Sequence, residues 1–247
     1  PETGKILKDK TGDLAHIDDK TAKSIVGNIQ DSEWKVTSVE EKPLARRPQA
    51  PFITSTLQQD ANRKLGFSAK ETMQLAQKLY EEGLITYMRT DSPALSKEAV
   101  WAIRKLIKDL YGADYLSHEP RQFQAKNKRA QEAHEAIRPA GSDFVHPDKA
   151  GLNGREKSLY ELIWKRTMAS QMKEAKKLNL RITVQAEESR FNSYGTRIVF
   201  PGFLRVYVEG KDDPKAALED KEVLLPDLKV GQKIKLDAQF RQLKYAQ

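Results

Sequence analysis

The spacing of hydrophobic and polar positions changes along the chain and divides it into three regions. In residues 19–29 the apolar side chains recur at helical intervals, which predicts a helix that begins near Asp19. A short strand is expected around Trp34. Residues 42–51 contain three prolines and are predicted to form a connector.

The second region, residues 51–173, has the pattern of several helices. Ser68 and Glu71 form a capping box, which predicts that a helix begins there. The run LITYM at residues 84–88 is rich in β-branched and aromatic side chains, so we expect a strand or an extended segment. Other helices are predicted at residues 56–65, 97–111 and 155–173, with a short helical turn over QEAHEAIRP at 131–139.

The third region has the period of β-strands, because apolar and polar residues alternate strictly from Leu178 to Ala186. Further strands are predicted at residues 196–200, 204–208, 221–225 and 232–240. The pattern predicts an α+β fold in which a mainly helical domain is inserted into a β-rich domain. The expected bounds are 1–45 and 174–247 for the two parts of the β-rich domain and 46–173 for the helical domain.

Composition narrows the classes of function. The 247 residues include no cysteine, which excludes disulfide scaffolds and thiolate metal sites. No apolar run approaches the roughly 20 residues that a membrane helix needs, so no membrane partner is expected. The net charge of +8 favours a polyanionic partner such as nucleic acid, although a merely soluble basic protein has the same charge.

Tyr87 and Arg89 form the first candidate site. On an extended backbone, side chains two apart share a face, with Cα atoms roughly 6.5 Å apart. A phenol oxygen can attack phosphorus, and an arginine fork can hold the phosphate oxygens. Asp91 could orient Arg89 or cap the following turn. The alternative is structural, since a tyrosine in an apolar strand usually belongs to the core.

His134 and Arg138 form the second candidate site, because a helical turn would place them on one face at i and i+4. Together they could contact a phosphate or donate a proton. The alternative is an ordinary helix with a surface ion pair. The other three histidines have no metal-ligand spacing, so no metal site is predicted in this chain.

Three long blocks resemble the bacterial type IA DNA topoisomerases. They are PFITSTLQQDANRKLGFSAKETMQLAQKLYEEGLITYMRTDS at 51–92, QEAHEAIRP at 131–139 and LYELIWKRTMASQM at 159–172, in the order of that family. At position 88 this chain has methionine, as the similar bacterial topoisomerase I sequences do, whereas topoisomerase III relatives usually have proline at this position. The resemblance implies that the β-rich domain is the arch that carries the helical domain.

The resemblance also implies residue roles and a reaction. Tyr87 would join to the 5′ phosphate of a cleaved DNA strand, and Arg89 would contact that phosphate. His134, Arg138 and Asp91 would line the DNA site. Negative supercoils would be relaxed without ATP, which agrees with the absence of a G-x-x-x-x-G-K-[ST] loop. The implied partner is DNA, preferentially single-stranded, bound by a monomer without a small-molecule cofactor in the cytoplasm, in association with the nucleoid.

One departure from the family concerns magnesium. The family binds Mg²⁺ through an acidic D-x-D pattern that lies before this region, and this chain contains no D-x-D. The ligands are therefore expected outside this chain, with no cofactor in it, and the chain alone is expected to cleave DNA poorly or not at all. Two alternatives stay open: a non-catalytic module that binds single-stranded nucleic acid, and a partner-binding scaffold indifferent to nucleic acid.

Overall fold

The structure is a computed structural model that describes residues 19–124, 135–207 and 225–235. The polypeptide chain divides into two compact units. The β-rich unit holds 19–42, 179–195 and 225–235, and the helical unit holds 43–124, 135–178 and 196–207. None of the described helices is both long and apolar enough to cross a membrane.

Capping residues explain where several helices begin and end. The Ser68 side chain accepts a hydrogen bond from the Glu71 N–H at 3.2 Å, and Ser96 accepts one from Ala99 at 3.2 Å. Gly66 ends a helix in the left-handed conformation, with φ of 72°. The α-helices are α1 Asp19–Ile29, α2 Thr54–Leu65, α3 Ala69–Glu81, α4 Lys97–Tyr111 and α5 Gly154–Ser170. Short 3₁₀ helices lie at Ala113–Tyr115, Pro147–Lys149 and Gly202–Arg205.

Four strands form one sheet. They are β1 Trp34–Arg46, β2 Ala175–Ala186, β3 Ser189–Phe200 and β4 Lys233–Ile234, in the spatial order β3-β2-β1-β4. The strands β1 and β4 are antiparallel, with Trp34 opposite Ile234. The α+β class is therefore confirmed. The connector predicted from residue 42 is wrong as far as Arg46, because β1 continues through Pro43. Proline has no N–H to donate, and none is needed on this side of β1, because within the described residues β4 pairs only with the start of β1.

The helical unit is built around α5, which packs against α2, α3 and α4. Its Leu159, Ile163 and Met168 are fully buried, and Trp164 is 2% exposed. Such burial on most sides of a helix marks the centre of a core. The β-rich unit has a smaller core of its own, formed by Ile29, Trp34, Val36, Ile182, Val184 and Ala186.

The segment LITYM is not helical, but it is not a regular strand either, because the backbone bends at Leu84, Thr86 and Met88 and Ile85 forms a single bridge to Pro139. The helical turn predicted over QEAHEAIRP is wrong for residues 135–139. These residues are extended, and Ile137 forms a bridge with Phe52. Pairing with neighbouring segments outweighs the local helical propensity of this stretch.

The strand predicted at 204–208 is wrong for its described residues. Gly202–Arg205 form a 3₁₀ helix, and the Tyr207 N–H donates to the Phe203 carbonyl at 3.0 Å. Both aromatic side chains are buried in the helical core, which also explains why residues 196–207 group with that unit and not with the β-rich one. The strand predicted at 221–225 lies outside the described residues except for residue 225. Of the strand predicted at 232–240, residues 236–240 lie outside the described residues.

Candidate functional site

Side chains from residue 87 to residue 92 alternate between solvent and core. Tyr87 is 43% exposed, and Arg89 and Asp91 are also exposed. Met88 and Thr90 between them are buried, at 3% and 8% exposure. The alternation brings both the Tyr87 phenol and the Arg89 guanidinium to the surface, two residues apart on the same segment.

Two threonines hold the backbone on either side of Tyr87 and Arg89. The Thr54 hydroxyl donates to the Met88 carbonyl at 2.8 Å and accepts from the Thr90 N–H at 2.9 Å. The Thr86 hydroxyl donates to the Ala136 carbonyl at 2.7 Å and accepts from the Arg138 N–H at 3.0 Å. These contacts tie the tyrosine segment to the start of α2 and to residues 135–140. The backbone is thereby fixed before any substrate arrives.

The Tyr87 ring packs against a single aromatic neighbour. Tyr80, from the last turn of α3, approaches it edge-on with ring centroids 5.4 Å apart and an interplanar angle of 69°. An edge-to-face pair of this kind restricts the orientation of the Tyr87 ring. Tyr80 and Tyr87 are almost equally exposed, at 42% and 43%.

Within the described ranges, no hydrogen bond or ion pair engages the Tyr87 hydroxyl, the Arg89 guanidinium or the Asp91 carboxylate. Asp91 therefore does not orient Arg89 as the sequence suggested. The turn that follows is capped by Thr90, whose hydroxyl accepts from the Ser92 N–H at 3.1 Å.

This arrangement can hold and attack a phosphate diester. A phenol is a nucleophile and also a good leaving group, so an ester formed at Tyr87 is readily reversed. A guanidinium with unused donors can take two phosphate oxygens and offset the charge that builds in the transition state. Both groups are exposed to solvent, and the backbone that carries them is held by hydrogen bonds.

Arg138 is placed differently from the prediction. It is only 9% exposed, and its guanidinium donates to Glu135 Oε2 at 2.6 Å and to the Pro139 and Gly141 carbonyls at 2.8 and 3.1 Å. Most of its donors are used inside the protein, so its observed contacts are those of a residue that shapes the segment 135–141. His134 lies outside the described residues.

Glu135 links this segment to α4. Its Oε1 accepts from the Ser96 N–H at 2.7 Å, and its Oε2 accepts from Arg138. Burial disfavours the charged carboxylate, but the hydrogen bonds from Ser96 and the positive charge of Arg138 outweigh it and hold the pKa of Glu135 below its usual value. The sequence analysis did not predict this link between Glu135, Ser96 and Arg138.

We expect Glu135→Gln to weaken the pH dependence of stability in acid. A carboxyl whose pKa is depressed by folding stabilises the protein above its ordinary pKa of 4.5, and that stabilisation is lost as the pH falls through the lower folded-state value. Urea unfolding at pH 7 and in steps below pH 5 measures the effect. The free energy of unfolding of the variant should be about 1–3 kcal/mol lower at pH 7, and it should fall less steeply as the pH drops below 5. Glu188→Gln, at an exposed position between β2 and β3, is the control. If stability below pH 5 fell as steeply in Glu135→Gln as in Glu188→Gln, the lowered pKa of Glu135 would be refuted.

The described residues do not fit a magnesium site. Among residues 19–124, 135–207 and 225–235, no three His, Asp or Glu side chains lie close enough together to hold a metal ion. Hard divalent cations need several oxygen ligands at short range. The ligands implied by the resemblance would have to come from elsewhere.

Sequence reasoning missed the threonines and a buried polar cluster. Asp60, Arg166 and Tyr207 are 8%, 4% and 2% exposed and contact one another inside the helical unit. The sequence carried one indication of the cluster, because the acidic Asp60 lies next to Ala61 on the apolar, core-facing side of α2. An acid on a core-facing stripe needs a buried partner. No spacing rule identifies Thr54, since its partners lie more than thirty residues away in sequence.

Comparison with known proteins finds relatives over nearly the whole chain. A family model described as DNA topoisomerase matches residues 2–246. DNA topoisomerase 1 of Synechococcus elongatus is 54% identical over 229 residues, which cover 93% of this chain and 26% of that protein. DNA topoisomerase 1 of Streptomyces coelicolor is 52% identical over 227 residues, covering 90% and 24%.

A solved structure is also similar. Full-length topoisomerase I from Thermotoga maritima aligns with a TM-score of 0.67 and 33% identity, over 92% of this chain and 36% of that one. The chain spans about a quarter of the length of the curated relatives that it matches.

Proposed function

Because the chain belongs to the bacterial type IA DNA topoisomerases, we propose that Tyr87 is the nucleophile that cleaves one DNA strand. The Tyr87 hydroxyl gives up its proton to solvent, and its oxygen attacks the phosphorus and forms an O–P bond, while the bond from phosphorus to the 3′ oxygen breaks. The 3′ oxygen takes up a proton from solvent and leaves as a hydroxyl. The product is a 5′-phosphotyrosine ester beside a free 3′ end.

Reversal of these steps reseals the strand. The 3′ hydroxyl attacks the same phosphorus and Tyr87 leaves, so the ester conserves the energy of the broken bond and no ATP is consumed. Passage of the other strand through the break changes the linking number of the duplex and relaxes negative supercoils. The single observation that carries the proposal is that Tyr87 and Arg89 face solvent together on a backbone fixed by hydrogen bonds.

The neighbouring residues take supporting roles in this proposal. Arg89 contacts the scissile phosphate and stabilises its transition state. Asp91, exposed on the same side, borders the strand, and His134 lines the same DNA site. Arg138 acts as a positioning residue, because its guanidinium is already bonded to Glu135 and to two backbone carbonyls.

The proposed architecture is a helical domain inserted into a β-rich arch. The arch acts as a hinge that lifts the tyrosine away from the rest of the protein while the other strand passes. Mg²⁺, where bound, would neutralise charge at the phosphate, and its ligands would not come from residues 19–124, 135–207 or 225–235. The substrate is DNA, preferentially single-stranded, bound by a monomer in the cytoplasm in association with the nucleoid.

A chimera tests this function. The matching segment of the Synechococcus elongatus topoisomerase is replaced by this chain, and relaxation of negatively supercoiled plasmid is measured with Mg²⁺ and without ATP. We expect relaxation by the chimera, whereas the 247-residue chain alone should give little or no covalent adduct with a single-stranded oligonucleotide.

Three outcomes would count against parts of the proposal. A folded chimera that binds single-stranded DNA but never cleaves it would favour a non-catalytic binding module. An efficient adduct of the isolated chain, lost in Tyr87→Phe, would support Tyr87 as the nucleophile but contradict the expected inactivity of the isolated chain, because the acid–base groups needed for cleavage would then be present in this segment. A chain without DNA affinity at low salt would point to a scaffold indifferent to nucleic acid.

A further inference from the structure

Trp101 is the most exposed large hydrophobic side chain among the described residues. Its exposure is 70%, whereas Trp34 and Trp164 are exposed by 4% and 2%. An indole is costly to leave in water, and tryptophan in this state is typical of binding surfaces. The side chain takes no part in the core that holds α4 to the helical unit.

Three lysines share the helix face of Trp101. With about 100° per residue, Lys97, Trp101, Lys105 and Lys108 fall within roughly 80° of one another around α4. All four are exposed. Ile103 and Ile107, which are fully buried, lie on the opposite side of the helix. The face is therefore a basic stripe with an aromatic residue in it, roughly 16 Å long at 1.5 Å per residue.

A groove runs beside this stripe. It has a volume of about 510 Å³ and is lined by Lys97, Val100, Trp101, Arg121 and Phe123, among others. Its lining thus combines an indole, a second aromatic ring and an aliphatic side chain with the cationic side chains of Lys97 and Arg121. A flat aromatic ligand that carries negative charge matches both properties.

The cations of the stripe are unused within the described residues. No described ion pair or hydrogen bond engages the side-chain ammonium groups of Lys97, Lys105 or Lys108. The acids of α4, Glu98 and Asp109, lie beside the stripe, roughly 20° and 40° around the helix beyond Lys105. With three lysines on the stripe and these two acids beside it, the exposed face around Trp101 keeps a net positive charge.

We propose that this face of α4 binds a single strand of nucleic acid, with a base stacked on Trp101 and the phosphates along the lysines. Stacking on an exposed aromatic combined with a cationic track is how single strands are held without sequence preference. A protein partner is disfavoured, because lysine is depleted in protein–protein interfaces whereas three lysines surround this indole. The inference rests on the proposed function in taking the strand to be DNA.

The Trp101 face adjoins the tyrosine segment. The Ala94 carbonyl accepts from the Ala136 N–H at 2.8 Å, and Ser96 bonds to Glu135, so the start of α4 is tied to the stretch that also holds Thr86. Eight residues separate Arg89 from Lys97, which limits their distance to roughly 29 Å. A strand attacked at Tyr87 can thus continue onto the face of α4.

The test measures binding of a fluorescein-labelled oligothymidylate by anisotropy at low salt. In the 247-residue chain, Trp101→Ala should weaken binding about ten-fold, the loss of one stacked base, while Trp101→Phe should retain most of the affinity. The double change Lys97→Gln with Lys105→Gln should weaken binding and reduce its salt dependence. Lys70→Gln, at an exposed position on α3, is the matched control and should bind as the parent does.

Intrinsic fluorescence adds an independent readout. Because the other two tryptophans are buried, iodide should quench mainly Trp101, and bound oligothymidylate should protect it. Unchanged affinity in Trp101→Ala, or quenching unaffected by the oligonucleotide, would overturn the proposal. So would concentration-dependent self-association in sedimentation that disappears in Trp101→Ala, since a second copy would then be the occupant.

The outcomes separate this inference from the proposed function. If the chimera relaxes plasmid while Trp101→Ala binds normally, the α4 site is refuted and the role of Tyr87 stands. If Trp101→Ala loses affinity while the chimera never cleaves DNA, the α4 site is supported and the cleavage function is refuted. A parent chain without affinity at low salt refutes both.

Discussion

Tyr87→Phe in the chimeric topoisomerase is expected to abolish plasmid relaxation, with a rate lowered roughly 10⁴-fold or more. The change removes one oxygen and keeps the ring, so the edge-on packing against Tyr80 is preserved. Without that oxygen no phosphotyrosine ester forms, and no other route to the strand break is available to the site. Relaxation of supercoiled plasmid on agarose gels measures the effect.

Tyr80→Phe is the matched control. Its ring contacts that of Tyr87, its exposure is nearly the same, and it too would lose only a hydroxyl. We expect its relaxation rate to stay within a few-fold of the parent. Equal losses in the two variants would mean that the aromatic pair supports the fold and that neither oxygen is the nucleophile.

Arg166→Ala is expected to lower the free energy of unfolding by about 3–5 kcal/mol, the range found when one partner of a buried ion pair is removed. Its guanidinium donates to the Ala50 carbonyl at 2.7 Å, to Asp60 at 3.4 Å and to the Tyr207 hydroxyl at 3.3 Å. It also bonds to the Gln49 side chain. One side chain thus joins the start of the helical unit, α2 and the segment after β3.

Tyr207 completes this cluster. Burial raises the pKa of its hydroxyl, which therefore stays protonated and donates to the Asp60 carboxylate. In Arg166→Ala the carboxylate keeps this donor and Arg63 but loses its buried countercharge. Neutralising both members, as in Arg166→Met with Asp60→Leu, should recover much of the loss, because an apolar replacement needs no partner.

Thermal unfolding measures the Arg166 effect, with an expected decrease in Tm of roughly 6–20 °C for a chain of this size. Arg155→Ala is the control. Arg155 also pairs with a carboxylate, Glu71, but its side chain is 69% exposed, and such pairs contribute about 0–1 kcal/mol. A Tm for Arg166→Ala within a degree or two of that for Arg155→Ala would refute the role given to the buried cluster.

Local signals in the sequence predicted the helices well because the elements carry their own caps. Ser68, Ser96 and Gly66 act at the positions where the pattern placed them. That LITYM is not helical was likewise predictable, since β-branched residues disfavour a helix there. The bends at Leu84, Thr86 and Met88 carry no such local signal.

Long-range pairing defeated the same reasoning elsewhere. The helical turn over QEAHEAIRP was wrong for residues 135–139 because Ile137 pairs with Phe52, which lies 85 positions earlier. The buried partners Asp60, Arg166 and Tyr207 come from three distant segments. Periodicity locates an apolar face, but it does not identify which polar groups meet beneath it. The roles of Arg89, Asp91 and His134 remain predictions for mutagenesis.

The most direct measurement is the attachment site of cleaved DNA. The chimera is trapped on a single-stranded oligonucleotide, digested with nuclease and trypsin, and analysed by tandem mass spectrometry. Cleavage after Lys78 and Arg89 releases LYEEGLITYMR, a peptide that contains both Tyr80 and Tyr87. We predict fragment ions that place the nucleotide on Tyr87 through its 5′ phosphate. A nucleotide on Tyr80 or on any other residue, or one joined through a 3′ phosphate, would contradict the central claim.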